Sequence, residues 1–263
     1  MNKLFTYFWY LVDYLRNGDI KSVIASVKYV ANKTSFSNDR IIHTSIGTFF
    51  CRKNTNDFQF ANYYYEWGVK KFILDRLTEF TVFIDVGACV GDYSILLAKM
   101  NKQCFAFELV SDNFKVFEKN IELNHLVNKV KLFPYGLGDA DYTASFTLDP
   151  VNTGASRINK VKNSEVEKAE IRKLDTLIGE MAIEQNEHIL IKLDVEGMEA
   201  EVIRGAFNFI LYYPYVTFII EDVHSSQERI KDALSDTALF EFGKVDQLNM
   251  YAKKIKNYEN IRL

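Results

Sequence analysis

The sequence predicts an α/β protein: a doubly wound, mostly parallel sheet preceded by a helical N-terminal extension. Two observations carry this reading. From residue 81 onward, strand-length apolar runs (TVFIDV, QCFAFE, VKLFPYG, HILIKLD, YVTFIIED) alternate with helix-period segments, the rhythm of parallel βαβ units. The first run ends in Asp85-Val-Gly87-Ala88-Cys-Val-Gly91, a glycine-containing strand-to-helix turn of the kind that lets backbone approach a ligand at a strand's carboxyl end. A chain of 263 residues, 48% hydrophobic with 12 Gly and 3 Pro, has apolar content for one large core and little for linkers or disorder.

The elements follow in order. Residues 1–40 read as two helices, apolar at Leu4, Phe8, Leu11, Val12 and Leu15 and again at Ile20, Val23, Ile24, Val27 and Val30, parted by Asn17-Gly18-Asp19. A strand pair over 41–52 turns at Ser45-Ile-Gly47, and a Tyr-rich helix is expected over about 61–77. Residues 1–78 thus form an accessory region before a domain spanning 79–263. In that domain the strand TVFIDV and its turn lead to a helix, DYSILLAKM, then to QCFAFE, a helix over 111–124, and VKLFPYG. Residues 138–170 break the rhythm with turns at Asp139-Ala-Asp141 and Asn152-Thr-Gly154 and read as an insertion near the active face. A helix start at Leu174-Asp175-Thr176 restores it, followed by HILIKLD, a helix over about 197–210, YVTFIIED, a short helix and closing strands through Met250.

Composition disfavours several functions. Lys+Arg 32 against Asp+Glu 35 gives a net charge of -3, opposite to the bias of a nucleic-acid binder. Cys51, Cys89 and Cys104 form neither a disulfide framework nor a C-x-x-C metal site, which fits a reducing cytoplasm. The uncharged run over 4–12 is far below the ~20 residues that span a bilayer, and no cleavage site follows it. Its Phe5, Phe8, Trp9 and Tyr10 favour interfaces, leaving peripheral membrane contact through residues 1–16, packing on the domain itself, or a homo-oligomer as alternatives.

The turn spaces its glycines G-x-x-x-G, not G-x-G-x-x-G, and lacks the Gly-Lys-Ser/Thr of a P-loop, which argues against a nicotinamide dinucleotide and against a P-loop nucleotide site. It resembles the first motif of Rossmann-like S-adenosylmethionine (SAM) methyltransferases, with Asp85, Gly87, Ala88 and Gly91 as the cofactor-facing residues. The second strand ends in Glu108, 23 residues after Asp85, where a carboxylate accepts both ribose hydroxyls; a helix-capping Glu is the bland alternative. Asp139, past the third strand, is read equally as an acceptor for the adenine amino group or a turn residue. Cys89 is a small turn residue rather than a nucleophile, since no neighbouring His or basic cluster lowers its pKa.

With Lys192-Leu-Asp-Val-Glu-Gly-Met-Glu199 added, the chain resembles the FkbM family of SAM-dependent methyltransferases, over about residues 82–223. The stretches that carry the resemblance are FIDVGACVGDYS, FELVSDNFKVFEKNIELN, Leu174-Asp-Thr-Leu177 and IKLDVEGMEAEVIRGA followed by FIIED. The family usually shows Asn at the position of Cys89 and Pro at that of Leu109. The resemblance implies a class I methyltransferase fold, SAM as cofactor, and methylation of hydroxyl groups of sugars or other metabolites.

Methyl transfer to a hydroxyl requires alignment and removal of a proton. Lys192, Asp194 and Glu196 alternate along the fourth strand's end and share a face, and charges inside an apolar strand are costly unless used or paired. The strand ending Glu221-Asp222-Val-His224 should lie beside them. Asp194 or His224 is the candidate general base, Lys192 a holder of the acceptor oxygen, and Glu196 and Glu199 candidates for sugar hydroxyls. A divalent ion on Asp194, Glu196 and Glu221 or His224 is the less favoured alternative. His43, His125 and His188 have no partner at ligand spacing. Asp194-Val-Glu-Gly197 lacks the aromatic turn that stacks a flipped base, so nucleic-acid acceptors are demoted. The Tyr63-Tyr-Tyr-Glu-Trp67 cluster reads as the buried face of a helix, with a sugar-stacking surface as its alternative. The expectation is a SAM-dependent O-methyltransferase acting on a sugar of a glycan or glycolipid precursor; a small-metabolite or amine methyltransferase and a non-catalytic SAM- or glycan-binding module are the alternatives.

Overall fold

A computed structural model describes residues 3–147 and 166–258. The chain begins with α1 (Lys3–Arg16) and α2 (Ile20–Asn32), then the antiparallel hairpin β1 (Arg40–His43) and β2 (Thr48–Cys51), the short α3 (Asp57–Phe60) and α4 (Trp67–Leu74). The helix break at 17–19 falls where Asp19 caps α2 by accepting the Ser22 N–H at 3.2 Å. The continuous helix expected over 61–77 is not formed. Residues 61–66 are turns, and Glu66 adopts a left-handed conformation (φ +48°) that starts a new helix axis at Trp67.

The central domain follows as β3 (Val82–Val86), α5 (Asp92–Lys99), β4 (Gln103–Phe107), α6 (Ser111–Leu123), β5 (Val130–Phe133), β6 (Gly136–Leu137), β7 (Tyr142–Thr147), β8 (Val166–Arg172), α7 (Leu174–Met181), β9 (His188–Leu193), α8 (Glu199–Arg204), α9 (Phe207–Tyr212), β10 (Tyr215–Glu221), α10 (Gln227–Ser235), β11 (Ala238–Lys244) and β12 (Asn249–Asn257). Seven strands form one sheet in the order β11-β12-β10-β9-β3-β4-β5. Strands β5, β4, β3, β9 and β10 are parallel, and β12 inserts antiparallel between β10 and β11. The order reverses between β3 and β9, so their carboxyl ends flank the crevice where doubly wound sheets bind ligands.

The predicted strands hold because β3 and the interior of β9 are buried on both faces, as parallel strands between helical layers must be. The helix expected over 197–210 is instead two short helices. Gly205 ends α8 where a β-carbon would stand 1.8 Å from the Gly138 carbonyl oxygen, so the chain turns at this close approach. The insertion forms a small sheet, β6-β8-β7, whose Phe146 and Ala169 pack with Val110 against Leu109 beside the end of β4. Asn152-Thr-Gly154 lies outside the described residues.

The N-terminal region shares the main core on one face of the sheet. Tyr14, Phe49, Phe58, Val69 and Ile73 belong to the same apolar cluster as Phe83, Leu97, Phe117 and Ile219. Asn120, fully buried on α6, accepts the Phe50 N–H at 2.7 Å and donates to the Val90 carbonyl at 3.0 Å. One amide thereby ties the β1–β2 hairpin to the glycine turn after β3.

Candidate active site

The turn after β3 is fixed by backbone. The N–H groups of Gly87 and Ala88 both donate to the Phe107 carbonyl at 3.1 Å, and Gly87 and Gly91 have φ of +84° and +86°. A β-carbon on Gly87 would stand 1.9 Å from the Asp194 carbonyl oxygen, so only glycine lets β3 and the loop after β9 come this close. Asp85, 2% exposed, accepts from Ser94 Oγ at 2.7 Å. Burial pushes its carboxyl up to about 6 against the pull of Lys192 and of the Ser94 hydrogen bond.

Glu108 follows the end of β4. One of its oxygens accepts the Cys89 N–H and the other the Val110 N–H, each at 2.7 Å. Burial raises this carboxyl to about 7, opposed by those two hydrogen bonds and by Arg52. Each oxygen keeps a second acceptor site, so the pair fits a ribose diol donating from the cleft. That cleft, about 50 Å³, is lined by Gly87, Glu108, Leu109, Asn113, Leu137 and Val195, among others.

A second compartment of about 220 Å³ adjoins it through the shared residues Gly87, Cys89, Asp194 and Glu196. Lys192, Glu221, His224, Tyr65, Glu66 and Tyr93 also line it. Lys192 sits opposite Asp85 on β3 and Ile219 on β10, 5% exposed, with Nζ 2.7 Å from Asp194 Oδ2 and 4.0 Å from Glu66 Oε2. Burial alone would depress its ammonium pKa, but Asp194, Glu66 and Asp85 outweigh that and hold it charged. Glu66 also accepts the Tyr93 hydroxyl at 2.8 Å. Its carboxyl is raised by burial and by Asp194, with Lys192 and Lys70 pulling it down. Glu221, half-buried, is pushed up to about 8 by burial and by the charges of Asp194, Glu66 and Glu196. Oxygens of Glu66, Asp194 and Glu221 converge within 4.8 Å of one another, a hard-ligand set able to accept a divalent cation, although the Lys192 ammonium already supplies positive charge there.

The structure brings together Asp85, Gly87, Lys192, Asp194, Glu196, Glu221 and His224, as the sequence suggests, and adds Glu66. Glu196 arrives differently from expected: β9 ends at Leu193, and Glu196 reaches the cavity through a left-handed backbone (φ +55°), with its carboxylate 3.1 Å from His224 Nε2. Three other residues lie elsewhere. Asp139 is exposed, 3.9 Å from Arg204, and lines neither compartment. Asp222 accepts from the Gln227 amide instead. Glu199 is no sugar ligand: buried, it accepts the Gly197 N–H at 3.1 Å, the Val195 N–H at 3.4 Å and the Ser225 hydroxyl, which spends its carboxylate on shaping the loop. A larger cavity, about 460 Å³, opens among Arg76, His188 and Tyr215 at the opposite ends of β9 and β10, away from the crevice where such sheets bind their ligands.

Residues 85–253 match the family model described as the methyltransferase FkbM domain. The chain belongs to this family. Its cofactor is accordingly S-adenosyl-L-methionine. Two relatives are each 26% identical over 163 residues: Methyltransferase 1 of Beauveria bassiana, with 52% of this chain covered, and the hexuronic acid methyltransferase AglP of Haloferax volcanii, with 61% covered. The chain matches 65% and 63% of those relatives' own lengths. The crystal structure of methyltransferase FkbM from Methylobacillus flagellatus KT is similar with a TM-score of 0.48 at 16% identity, covering 66% of this chain and 44% of that one. Among the described residues no helix of the FkbM chain is long and apolar enough to cross a membrane.

Proposed function

We propose that this FkbM chain methylates a hydroxyl oxygen of a neutral sugar, with Glu108 and the turn at residues 85–91 holding the cofactor and the Lys192–Asp194–Glu221 cluster receiving the acceptor. The observation that carries this reading is the cavity in which Lys192, Asp194, Glu66 and Glu221 converge directly beside Gly87. The bound cofactor supplies an electrophilic methyl carbon on its sulfonium. The protein's part is to align an acceptor oxygen with that carbon, which supplies up to about 7–11 kcal/mol of the barrier reduction, and to take the hydroxyl proton.

Glu221 is the group suited to the proton. A carboxylate poised near about 8 is a far stronger base than an ordinary one and still ionises close to neutral pH. Asp194 accepts from the Lys192 ammonium and so positions it, leaving the ammonium's remaining N–H groups to donate to the acceptor oxygen. His224 and Glu196, paired at the cavity mouth, are placed to bind a further hydroxyl.

Acidic side chains accept hydrogen bonds from sugar hydroxyls and repel carboxylates. The lining carries Glu66, Asp85, Asp92, Asp194, Glu196 and Glu221 against Lys192 and His224, which favours a neutral ring over a uronate. The relative AglP is named for a hexuronic acid, which supports a sugar acceptor in the broad sense. A cavity of about 220 Å³ falls below the roughly 300–1,000 Å³ that encloses drug-sized ligands and suits one ring. The test is transfer of labelled methyl from SAM across neutral hexosides, uronates, amines and small phenols, with the product tested for base stability to separate ethers from esters. Ether formation on a neutral hexoside is expected; preferential labelling of a uronate or an amine would overturn the assignment.

A further inference from the structure

A surface helix normally turns its apolar residues to the core; α2 packs Val23 and Tyr29 partly against it but leaves a wider apolar stripe in solvent. Its buried residues are Ser22, Ala25 and Ser26, whereas Ile20, Ile24, Val27 and Val30 are 63%, 50%, 60% and 55% exposed. At helical spacing these four occupy roughly a third of the circumference, with Lys21 and Lys28 along one border. A cavity of about 470 Å³ adjoins the stripe, lined among others by Lys21, Ile24, Lys28, Ser35, Arg40 and Ile41. Ile41 is itself exposed, which extends the apolar surface across the cavity. Ser35 Oγ and Arg40 Nη1 are buried there without a hydrogen-bond partner among the described residues, while Arg40 Nη2 is held by Asp19 at 2.9 Å. Residues 20–41 carry Lys21, Lys28, Lys33 and Arg40 against the single acid Asp39, in a chain whose net charge is -3.

We propose that this face is a peripheral docking surface for an anionic phospholipid bilayer. The α2 stripe enters the acyl boundary, and the lysines and the Arg40-lined cavity lie among the headgroup phosphates. An apolar stripe bordered by lysines is the pattern of helices that lie in a membrane interface. Charge decides the occupant. A second copy meeting this face isologously would bring one basic patch, with Lys21 and Lys28, against an identical basic patch, whereas anionic lipid attracts each lysine. With one 13-residue helix contributing, attachment is reversible and weakened by salt. The inference places the contact on α2, beyond the aromatic helix that the sequence suggests, and stands independently of the methyl-transfer reading.

The experiment is flotation of the full chain with phosphatidylcholine vesicles, with and without phosphatidylglycerol, at low and high salt, alongside size-exclusion chromatography with light scattering. The wild type is expected to bind anionic vesicles about tenfold more than neutral ones and to lose that preference in high salt. Ile24→Glu/Val27→Glu and Lys21→Glu/Lys28→Glu are each expected to cut binding about tenfold or more, while Val127→Glu, at another exposed apolar position, leaves it unchanged. The lysine reversals lie at solvent-exposed positions and keep the test valid if the stripe variant misfolds by circular dichroism. Equal binding to both vesicle types, wild-type binding by either variant that remains folded, or a dimer without vesicle binding would overturn the proposal.

Discussion

The Asp194 carbonyl oxygen occupies the space that a β-carbon on Gly87 would need, 1.9 Å from its ideal position. The turn that follows β3 and the loop that follows β9 are therefore set against each other by backbone alone, which fixes the distance between the two segments proposed to hold cofactor and acceptor. Gly87→Ala should cost far more than Gly18→Ala. Both residues have positive φ, but Gly18 has nothing within 4 Å of its would-be β-carbon. The Gly18 variant should lose about 1 kcal/mol from strain alone, and the Gly87 variant at least about twice that because backbone must move. Urea unfolding measures both; equal losses would remove the contact from the account.

Stability should fall as pH rises through neutrality. Asp85, Glu108 and Glu221 titrate at about 6, 7 and 8 in the folded protein, above the carboxylate values near about 4 of an unfolded chain. The folded state therefore holds protons that the unfolded state has released, and stability declines between about pH 4 and about pH 8. Thermal melts across that window test the sign, and a Tm that climbs toward pH 8 would contradict it.

Lys192→Met removes the cation that Asp194 and Glu66 share. Breaking one side of a buried pair costs about 3–5 kcal/mol, and the low end is expected because Asp194 is partly exposed. The deficit should be larger at pH 8 than below about pH 5, where the carboxyls left behind take up protons. Unfolding at the two pH values measures it; a loss independent of pH would mean that Lys192 acts by packing.

Glu221→Gln should lower kcat by about 100-fold or more and flatten the pH–rate profile, which in the wild type should rise with pH toward a midpoint near 8. Asp194→Asn, which frees Lys192 from its partner and removes a charge that raises Glu221, should lower kcat while keeping a rising pH profile whose midpoint moves below about 8. Steady-state rates across pH separate the two roles; a rising profile in the Glu221 variant would pass the base to another group.

The sheet was legible because its central strands are buried apolar runs with a Gly turn between them, and Lys192 because an unpaired ammonium inside such a run is costly. The acid at the second strand's end, Glu108, was legible from its spacing to Asp85. Glu66 was not. It lies in an aromatic stretch that reads as one amphipathic helix, and it reaches the site only because its backbone is left-handed, a conformation nothing in a Glu side chain announces. The same applies to Glu196, where strand alternation gave the right cavity for the wrong reason. The break between α8 and α9 depends on the Gly138 carbonyl, 67 residues away in sequence, a tertiary contact that local periodicity does not contain.

The most direct test of the central claim, that Glu108 and the Gly87 turn grip the cofactor while Glu221 serves the acceptor, is calorimetric titration of S-adenosylhomocysteine into wild type, Glu108→Gln and Glu221→Gln. Charge-assisted hydrogen bonds are worth about 1.5–3 kcal/mol, so the Glu108 variant should bind roughly 10- to 100-fold more weakly and the Glu221 variant as the wild type does. Wild-type affinity should also tighten as pH rises through about 7, where Glu108 ionises. Unchanged affinity in the Glu108 variant, or a loss confined to the Glu221 variant, would contradict the account.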